Sequence, residues 1–362
     1  MNILVIPNRG RSYNAVRPEA ECYIKMAELG HKVTVITCRA NAYFENYQKS
    51  NVELIELVNT KKYSLSVIKQ IRRQIKLKKI DIVYATESSG IPNAAFACIG
   101  TKAKMVAYRG TTGGMYKTDP TNYLCMLHPR INGVVCVSNA VSHSVKSKVR
   151  AKLRKNVVTI YKGHDIDWYQ DPAVDLESLG TSKDNFNVLC IGSPRPHKGT
   201  LVAIDAMAEL ASHHNIKLVL VGDNIDKEPF TSQISQHGIA DNIILTGFRN
   251  DVPALAKACD VLILPSLDKE GLSRTIMESL SNGTPAIASD IDTTKEVIEH
   301  QVNGLIYKAG DAKALAENIK LLAQDAEQLK ALSAAAQATI SGKMAHQKTV
   351  EQMLAFFNKL TT

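Results

Sequence analysis

The stretch VLILPSLDKEGLSRTIMESLSNGTPAIASDI, residues 261–291, decides the fold. It opens on Val261, Leu262, Ile263 and Leu264, an apolar run that reads as a strand buried on both faces. Pro265 and Ser266 stop that strand, and a polar loop carrying Glu270 follows. Gly271, Leu272 and Ser273 then lead into a helix with Ile276, Met277 and Leu280 on its apolar side. Asn282-Gly283 close the helix, because glycine adopts the left-handed backbone of a helix end without a steric penalty. Thr284-Pro285 lead into a second apolar strand at 286–288. Strand, turn, helix and strand in this order predict an α/β fold with parallel pairing.

The chemistry is expected at the strand-to-helix turn, since open α/β sheets bind ligands beyond the carboxyl ends of their strands. The first N–H groups of a helix have no partner inside it, and the helix dipole favours negative charge there. Gly271 lets a phosphate approach that backbone closely. Glu270 before the helix and Glu278 about two turns along it are poorly placed to hold phosphates but well suited to accept hydrogen bonds from sugar hydroxyls. A ligand bearing both phosphate and sugar hydroxyls fits the pattern. So does an ordinary solvated helix with two surface acids, because such turns are common and two acids with seven residues between them make a short pattern.

Glu270-x7-Glu278, inside EGLSRTIMESLSNGTP, resembles the E-x7-E signature of the retaining GT-B glycosyltransferases of family 4. The resemblance extends to VLILPS before it, PAIASD after it, Glu296 and Asn303-Gly304-Leu305, and resumes upstream at 192–199 and at Thr246-Gly247-Phe248. The family's GG pair after the second strand is Thr293-Thr294 here. The resemblance implies the GT-B arrangement, two Rossmann-like doubly wound domains facing across a cleft. It implies a donor site built by Gly192, Arg195, Lys198, Phe248, Arg249, Glu270, Gly271, Leu272, Ser273 and Glu278, with Arg195, Lys198 and Glu270 nearest the chemistry. Arg195 and Lys198, in an R-x-x-K-G motif, would hold the donor diphosphate. A guanidinium clamps phosphate oxygens bidentately and an ammonium adds a point charge. Glu278 would hold the ribose and Glu270 a hydroxyl of the donor sugar; Phe248 and Arg249 would border the base. The family retains anomeric configuration. It needs no metal, and its nucleotide sugar is a substrate rather than a cofactor. No Asp-x-Asp motif stands in a loop suited to a metal.

A chain of 362 residues has room for two domains, expected at 1–165 and 166–342, with a last helix at 343–362 that the resemblance returns to the first domain. No apolar run reaches the roughly 18 residues of a membrane span. The N-terminus reads directly as a strand, without the apolar segment of a signal peptide. Seven scattered cysteines without a zinc spacing read as buried free thiols. These features predict a cytoplasmic protein. Charge is divided: residues 1–170 hold 27 Lys and Arg against 11 Asp and Glu, residues 171–362 hold 17 against 24. A basic N-terminal half implies an anionic partner, whether acceptor, membrane lipid or nucleic acid.

The first apolar strand, 3–6, gives onto a loop with Arg9 and Arg11, and Arg17-Pro18-Glu19 is read as a helix entry because proline suits a first turn. No G-x-G-x-x-G follows the strand, which argues against a nicotinamide cofactor. By the resemblance this domain faces the acceptor, so Arg9, Arg11 and Arg17 are candidates to hold an anionic one, a glycan or a lipid-linked sugar. Residues 65–79 form a basic amphipathic helix pattern and 144–155 a second basic run, both compatible with peripheral contact to the inner face of the plasma membrane. Many family members carry His-Gly where this chain has Arg109-Gly110. A guanidinium binds anions but cannot act as a base, so Arg109 joins the acceptor candidates, with His128. Cell-surface polysaccharide or lipopolysaccharide synthesis is the expected setting. A nucleotide-sugar epimerase or hydrolase of the same fold is the first alternative. A basic nucleic-acid-binding protein is the second, and the absence of a nucleic-acid module or stacking aromatics in the basic half argues against it.

Overall fold

The apolar runs read from the sequence become strands of two separate parallel sheets. The structure, a computed structural model, describes residues 1–10, 12–57, 61–268 and 270–362. It divides into two units, one of Met1–Gly163 with His346–Thr362 and one of His164–Ala345.

The first unit holds β1 (Asn2–Ile6), β2 (Lys32–Thr37), β3 (Glu53–Glu56), β4 (Ile82–Ala85), β5 (Lys104–Arg109), β6 (Ile131–Cys136) and β7 (Val157–Thr159), ordered β3-β2-β1-β4-β5-β6-β7. Ile3, Leu4, Val5, Ile82 and Val83 on the central strands are wholly buried, as parallel strands covered on both faces must be. The C-terminal helix, His346–Thr361, lays Val350, Met353, Phe356, Phe357 and Leu360 into this core. Gly133 on β6 makes room for it. A side chain there would start 2.7 Å from the Phe356 ring.

The second unit holds β8 (Phe186–Ile191), β9 (Ile216–Val221), β10 (Ile243–Gly247), β11 (Val261–Leu264), β12 (Ala286–Ser289) and β13 (Gly304–Tyr307), ordered β10-β9-β8-β11-β12-β13 and all parallel. β11 lies in register between β8 and β12, with Leu262 opposite Leu189 on one side and Ala286 on the other. In each sheet the chain starts at a central strand, winds outward one way, then returns to wind the other. The switch points, where ligand crevices form in such sheets, therefore lie between β1 and β4 and between β8 and β11.

The helix expected after Glu270 runs from Arg274 to Ser281, ends at Asn282, and is followed by Gly283 at φ +78°. It buries Ile276, Met277 and Leu280 almost completely, each contributing about 1.5–3 kcal/mol. Ser138 caps the helix Asn139–Lys148, its hydroxyl accepting from the Val141 N–H. One expectation is corrected. Pro18 does not open its helix but sits inside Tyr13–Glu28. The ring forfeits one backbone bond, and burial of Val16, Ala20, Tyr23 and Met26 on the same helix offsets that loss. All seven cysteines are free. Among the described residues no helix is long and apolar enough to cross a membrane.

Candidate active site

The loops that leave β8 and β11 emerge side by side at the second switch point, and the sequence equips them for each other. After β8 the chain makes a single 3-10 turn, Pro196–Lys198, closed by Gly199 at φ +67° before the helix Thr200–Glu209. A β-carbon on Gly199 would sit 1.9 Å from the carbonyl oxygen of Pro265, so only glycine lets this turn lie against the end of β11. The Leu267 N–H donates to the carbonyl of His197 at 2.7 Å, which fastens the two loops together. Thr200 Oγ1 accepts from the Ser193 N–H and donates to the Ser193 carbonyl, fixing the start of the β8 loop.

This contact places Lys198 Nζ 2.5 Å from Glu270 Oε1. Both side chains are largely shielded, with 28% and 11% exposure. Ser266, wholly buried, donates to the same oxygen at 2.8 Å, while Glu270 Oε2 has no hydrogen bond among the described residues. Ser266 is in turn fixed by Ser289, which donates to its carbonyl. Arg195 is exposed and has no ion pair among the described residues. Gly271, Leu272 and Ser273 lie half-buried before the helix. Ser273 is its N-cap without a side-chain bond to the helix backbone, so no side chain caps the first N–H groups.

Glu278, on the helix Arg274–Ser281 that follows this loop, is 2% exposed. Its Oε1 makes no hydrogen bond and meets only Arg274 Nε, at 3.3 Å. Burial drives its pKa up to about 7, against the pull of Arg274. A buried, half-partnered carboxyl of this kind is a mark of functional sites. Phe248 is 60% exposed at the end of β10. The Arg249 guanidinium is taken by Asp251, Nε to Oδ1 at 2.8 Å. Gly192 is buried against Leu220, where a side chain would start 2.9 Å from Cδ1.

The acceptor candidates are in the first unit, and the structure does not gather them into one site. Arg9 is bound to Glu87 through Nε and Nη2, and also to Ser89. Arg17 lies 5.5 Å from the Tyr13 ring. Arg109 donates to the carbonyls of Thr111, at 2.9 Å, and Gly113, so its guanidinium braces its own turn. Arg11 lies outside the described residues. His128 is corrected: it is 6% exposed, edge-on to Phe96 at 4.9 Å, and its Nδ1 accepts from the Arg130 N–H. It precedes β6, at the opposite edge of the sheet from Arg9 and Arg109. Burial lowers its pKa, as do Arg130 and Arg150.

The sequence reading missed four participants. Ser266 was read only as a strand stop. Arg274 stands four residues before Glu278, and that spacing on one helix face was the available signal. Glu19 and Lys162, ion-paired at 2.9 Å in the first unit, are 143 residues apart and carry no local pattern.

Two family models match the chain: the glycosyl transferases group 1 model over residues 174–339 and the Glycosyltransferase Family 4 model over 21–168. The chain belongs to these glycosyltransferases. Among curated relatives of this glycosyltransferase is the N-acetyl-alpha-D-glucosaminyl L-malate synthase of Bacillus anthracis, 24% identical over 91% of this chain and 89% of its own. The UDP-Gal:alpha-D-GlcNAc-diphosphoundecaprenol alpha-1,3-galactosyltransferase of Escherichia coli is 25% identical over 76% of each chain. The solved structure of Anabaena Alr3699/HepE in complex with UDP superposes with a TM-score of 0.80 at 22% identity, covering 99% of this chain and 100% of that one. A glycosyltransferase from Rickettsia africae gives 0.82 at 22%, covering 99% and 98%. These likenesses show the fold, GT-B.

Proposed function

We propose that this glycosyltransferase moves a sugar, with retention and without a metal, from a nucleoside diphosphate sugar to a hydroxyl of a glycan or lipid-linked acceptor. The observation that carries the reading is the Lys198–Glu270 pair at the second switch point, followed on the next helix by the buried carboxyl of Glu278. The donor diphosphate takes Lys198 away from Glu270, joined by Arg195 and by the open N–H groups around Gly271, Leu272 and Ser273. The released Glu270, with Oε2 already open, accepts a hydroxyl of the donor sugar. Glu278 accepts the ribose hydroxyls, and Gly192, Phe248 and the backbone at Arg249 border the nucleoside. As the bond from the anomeric carbon to the diphosphate oxygen breaks, its electron pair stays on the diphosphate. Lys198 and Arg195 stabilise that growing charge, an effect commonly of several kcal/mol. The acceptor oxygen attacks from the same face and gives its proton to the departing phosphate.

UDP in the Anabaena structure and the uridine donor named for the E. coli relative make a UDP-sugar the first donor to try. The acceptor-side residues are Arg17 and Arg109, with Arg9 once freed from Glu87. Malate and a diphosphate-linked lipid, named for the two relatives, are both anionic, as is the acceptor inferred here. The setting we infer is cell-surface polysaccharide or lipopolysaccharide assembly on the cytoplasmic side of the membrane, with the basic N-terminal unit toward anionic lipid. No group of three or more His, Cys, Asp or Glu among the described residues is placed to hold a metal.

A thermal-shift panel of UDP-, GDP-, ADP- and CMP-sugars tests the donor site, since a ligand raises stability by mass action. One nucleotide class should raise the melting temperature, and Lys198→Ala should erase the rise. Product analysis with the active donor then separates transfer from acceptor-independent epimerisation or hydrolysis, EDTA tests metal independence, and the anomeric proton coupling of the product reads the stereochemistry. A protein that melts at the same temperature with every donor overturns the reading.

A further inference from the structure

We propose that the N-terminal unit carries a second ligand site, at the amino edge of its sheet, for a phosphate monoester borne on an apolar body. A cavity of about 550 Å³ opens between the segment that leads into β6 and the corner that joins Asn139–Lys148 to β7. Pockets of a few hundred Å³ are of the size that small ligands fill. Because β6 and β7 are parallel and the cavity is lined just before each begins, it lies at the edge opposite the switch point. It is therefore separate from Arg9, although its Lys148 reaches the Thr112 carbonyl in the turn that Arg109 braces, and the proposal does not depend on the transfer reaction.

Charge is the first argument. Lys117, Lys148, Arg150 and Arg154 line the cavity and no carboxylate does. Among the described residues none of the four pairs with an acid. Lys148 reaches only the Ser144 hydroxyl and the Thr112 carbonyl, and Arg150 only the Ile131 carbonyl at 2.9 Å. Asp119, the acid of the neighbouring segment, is turned back on Thr121 and Asn122. Four cations around one concavity repel one another, and low-dielectric walls concentrate their field on whatever anion enters. Two guanidiniums among them suit a dianionic phosphate, whose oxygens accept their paired N–H groups. The walls give the second argument. Tyr123, 49% exposed, with Leu127 and Leu153, lines the same space, so the body carrying the phosphate meets apolar surface.

The probes are glycerol 3-phosphate and dihexanoyl phosphatidic acid below its micelle concentration, titrated into the full chain, with vesicles of phosphatidylcholine containing or lacking phosphatidic acid. One molecule of the acylated probe should bind per chain. The Lys117→Ala/Arg154→Ala variant should weaken it at least tenfold while leaving nucleotide-sugar binding intact, which also reports that the variant is folded. Tyr123→Ala should weaken the acylated probe more than glycerol 3-phosphate. Equal binding of both probes means that the apolar walls contribute nothing and overturns the assignment to a ligand with an apolar body. Tighter binding of the acylated probe, with retention only on phosphatidic acid vesicles, assigns the site to a lipid. That second result supports the proposal. Binding of neither probe overturns it. So does an equal loss in Lys69→Ala/Lys76→Ala, whose exposed lysines lie on the helix Leu65–Leu77, because that would mean diffuse surface charge rather than this cavity.

Discussion

The two switch points of this protein are each held by a cation from the first loop and an acid from the second, and they differ in how that pair is made. Between β1 and β4 a cation from the first loop, Arg9, meets an acid and a serine from the second, Glu87 and Ser89. Between β8 and β11 Lys198 meets Glu270, and Ser266 donates to that acid rather than touching the cation. In the first unit the guanidinium fork engages both carboxylate oxygens. In the second an ammonium touches one oxygen, and the serine shares that same atom. A planar fork held at two points is preorganised and hard to displace, whereas a compact ammonium on a flexible stem exchanges one anion for another. This difference predicts a brace in the first pair and, in the second, a resting contact that a diphosphate can replace.

Lys198→Ala breaks that contrast most severely. It removes the charge that stabilises the leaving diphosphate, and kcat should fall roughly a hundredfold to a thousandfold, about 3–4 kcal/mol, with the fold intact by circular dichroism.

Glu278 adds what the first unit lacks, a buried carboxyl with spare acceptor capacity. An unfolded glutamate titrates near 4.5 and the buried one near 7. Below 4.5 both states hold the proton and burial carries no penalty. As pH rises from 4.5 to 7 the unfolded chain releases its proton while the folded chain keeps it, so stability falls through that window. Above 7 the deficit is constant, on the order of 3 kcal/mol. Glu278→Gln should therefore melt higher than the parent chain, by a margin that grows between pH 4.5 and 7 and then levels off. It should also bind the donor about tenfold more weakly, since a neutral amide replaces a charged acceptor. Ribose hydroxyls donating to Glu278 favour its charged form, so donor binding near pH 7 should release protons, measurable by calorimetry in buffers of different ionisation enthalpy. Glu278→Gln should abolish that release.

Gly199→Ala tests how the two loops came together. Its left-handed backbone and the Pro265 carbonyl 1.9 Å from the added carbon allow no accommodation without moving β11 or the turn. A loss of about 2–3 kcal/mol in urea unfolding is expected, with weaker donor binding, because the lysine no longer reaches its position.

Most of this second site was legible in residues 261–291 and 192–199, because its chemistry lies in two short segments with local signatures: apolar run, glycine, cation, acid. The helix from Arg274 to Ser281 and its end at Asn282 followed from apolar spacing and Gly283. What the sequence hid was pairing. Nothing local shows that Ser266 would share Glu270 with Lys198, since the parallel neighbours β8 and β11 are more than 70 residues apart in the chain. The short edge strand β3, with charged residues at both ends, and β13, four residues long, gave too little periodicity to be read as strands. In the first unit Arg9, Arg11, Arg17 and Arg109 were read as acceptor candidates from the family resemblance, which turns this domain toward the acceptor. Arg9 instead engages Glu87 and Arg109 engages backbone carbonyls, while Arg17 lies 5.5 Å from the Tyr13 ring, partners that only the folded chain supplies.

The smallest effect decides whether Arg9 is a brace or an acceptor ligand. Its side chain is 15% exposed and that of Glu87 23%, so Arg9→Ala leaves a mostly shielded carboxylate without its fork. Solvent still reaches the site, which limits the cost to about 1–2 kcal/mol. If the arginine is a brace, the variant melts a few degrees lower, Glu87→Ala does the same, and the double variant is little worse than either, because the two residues act as one unit. Donor affinity then changes by less than about twofold, and the acceptor KM moves no further than stability alone explains. If Arg9 leaves Glu87 to hold an anionic acceptor, the acceptor KM rises about tenfold in Arg9→Ala but falls or holds in Glu87→Ala, because removing the competing carboxylate frees the guanidinium. The sign of the Glu87→Ala effect on KM therefore separates two roles that the free protein shows with the same pair of bonds.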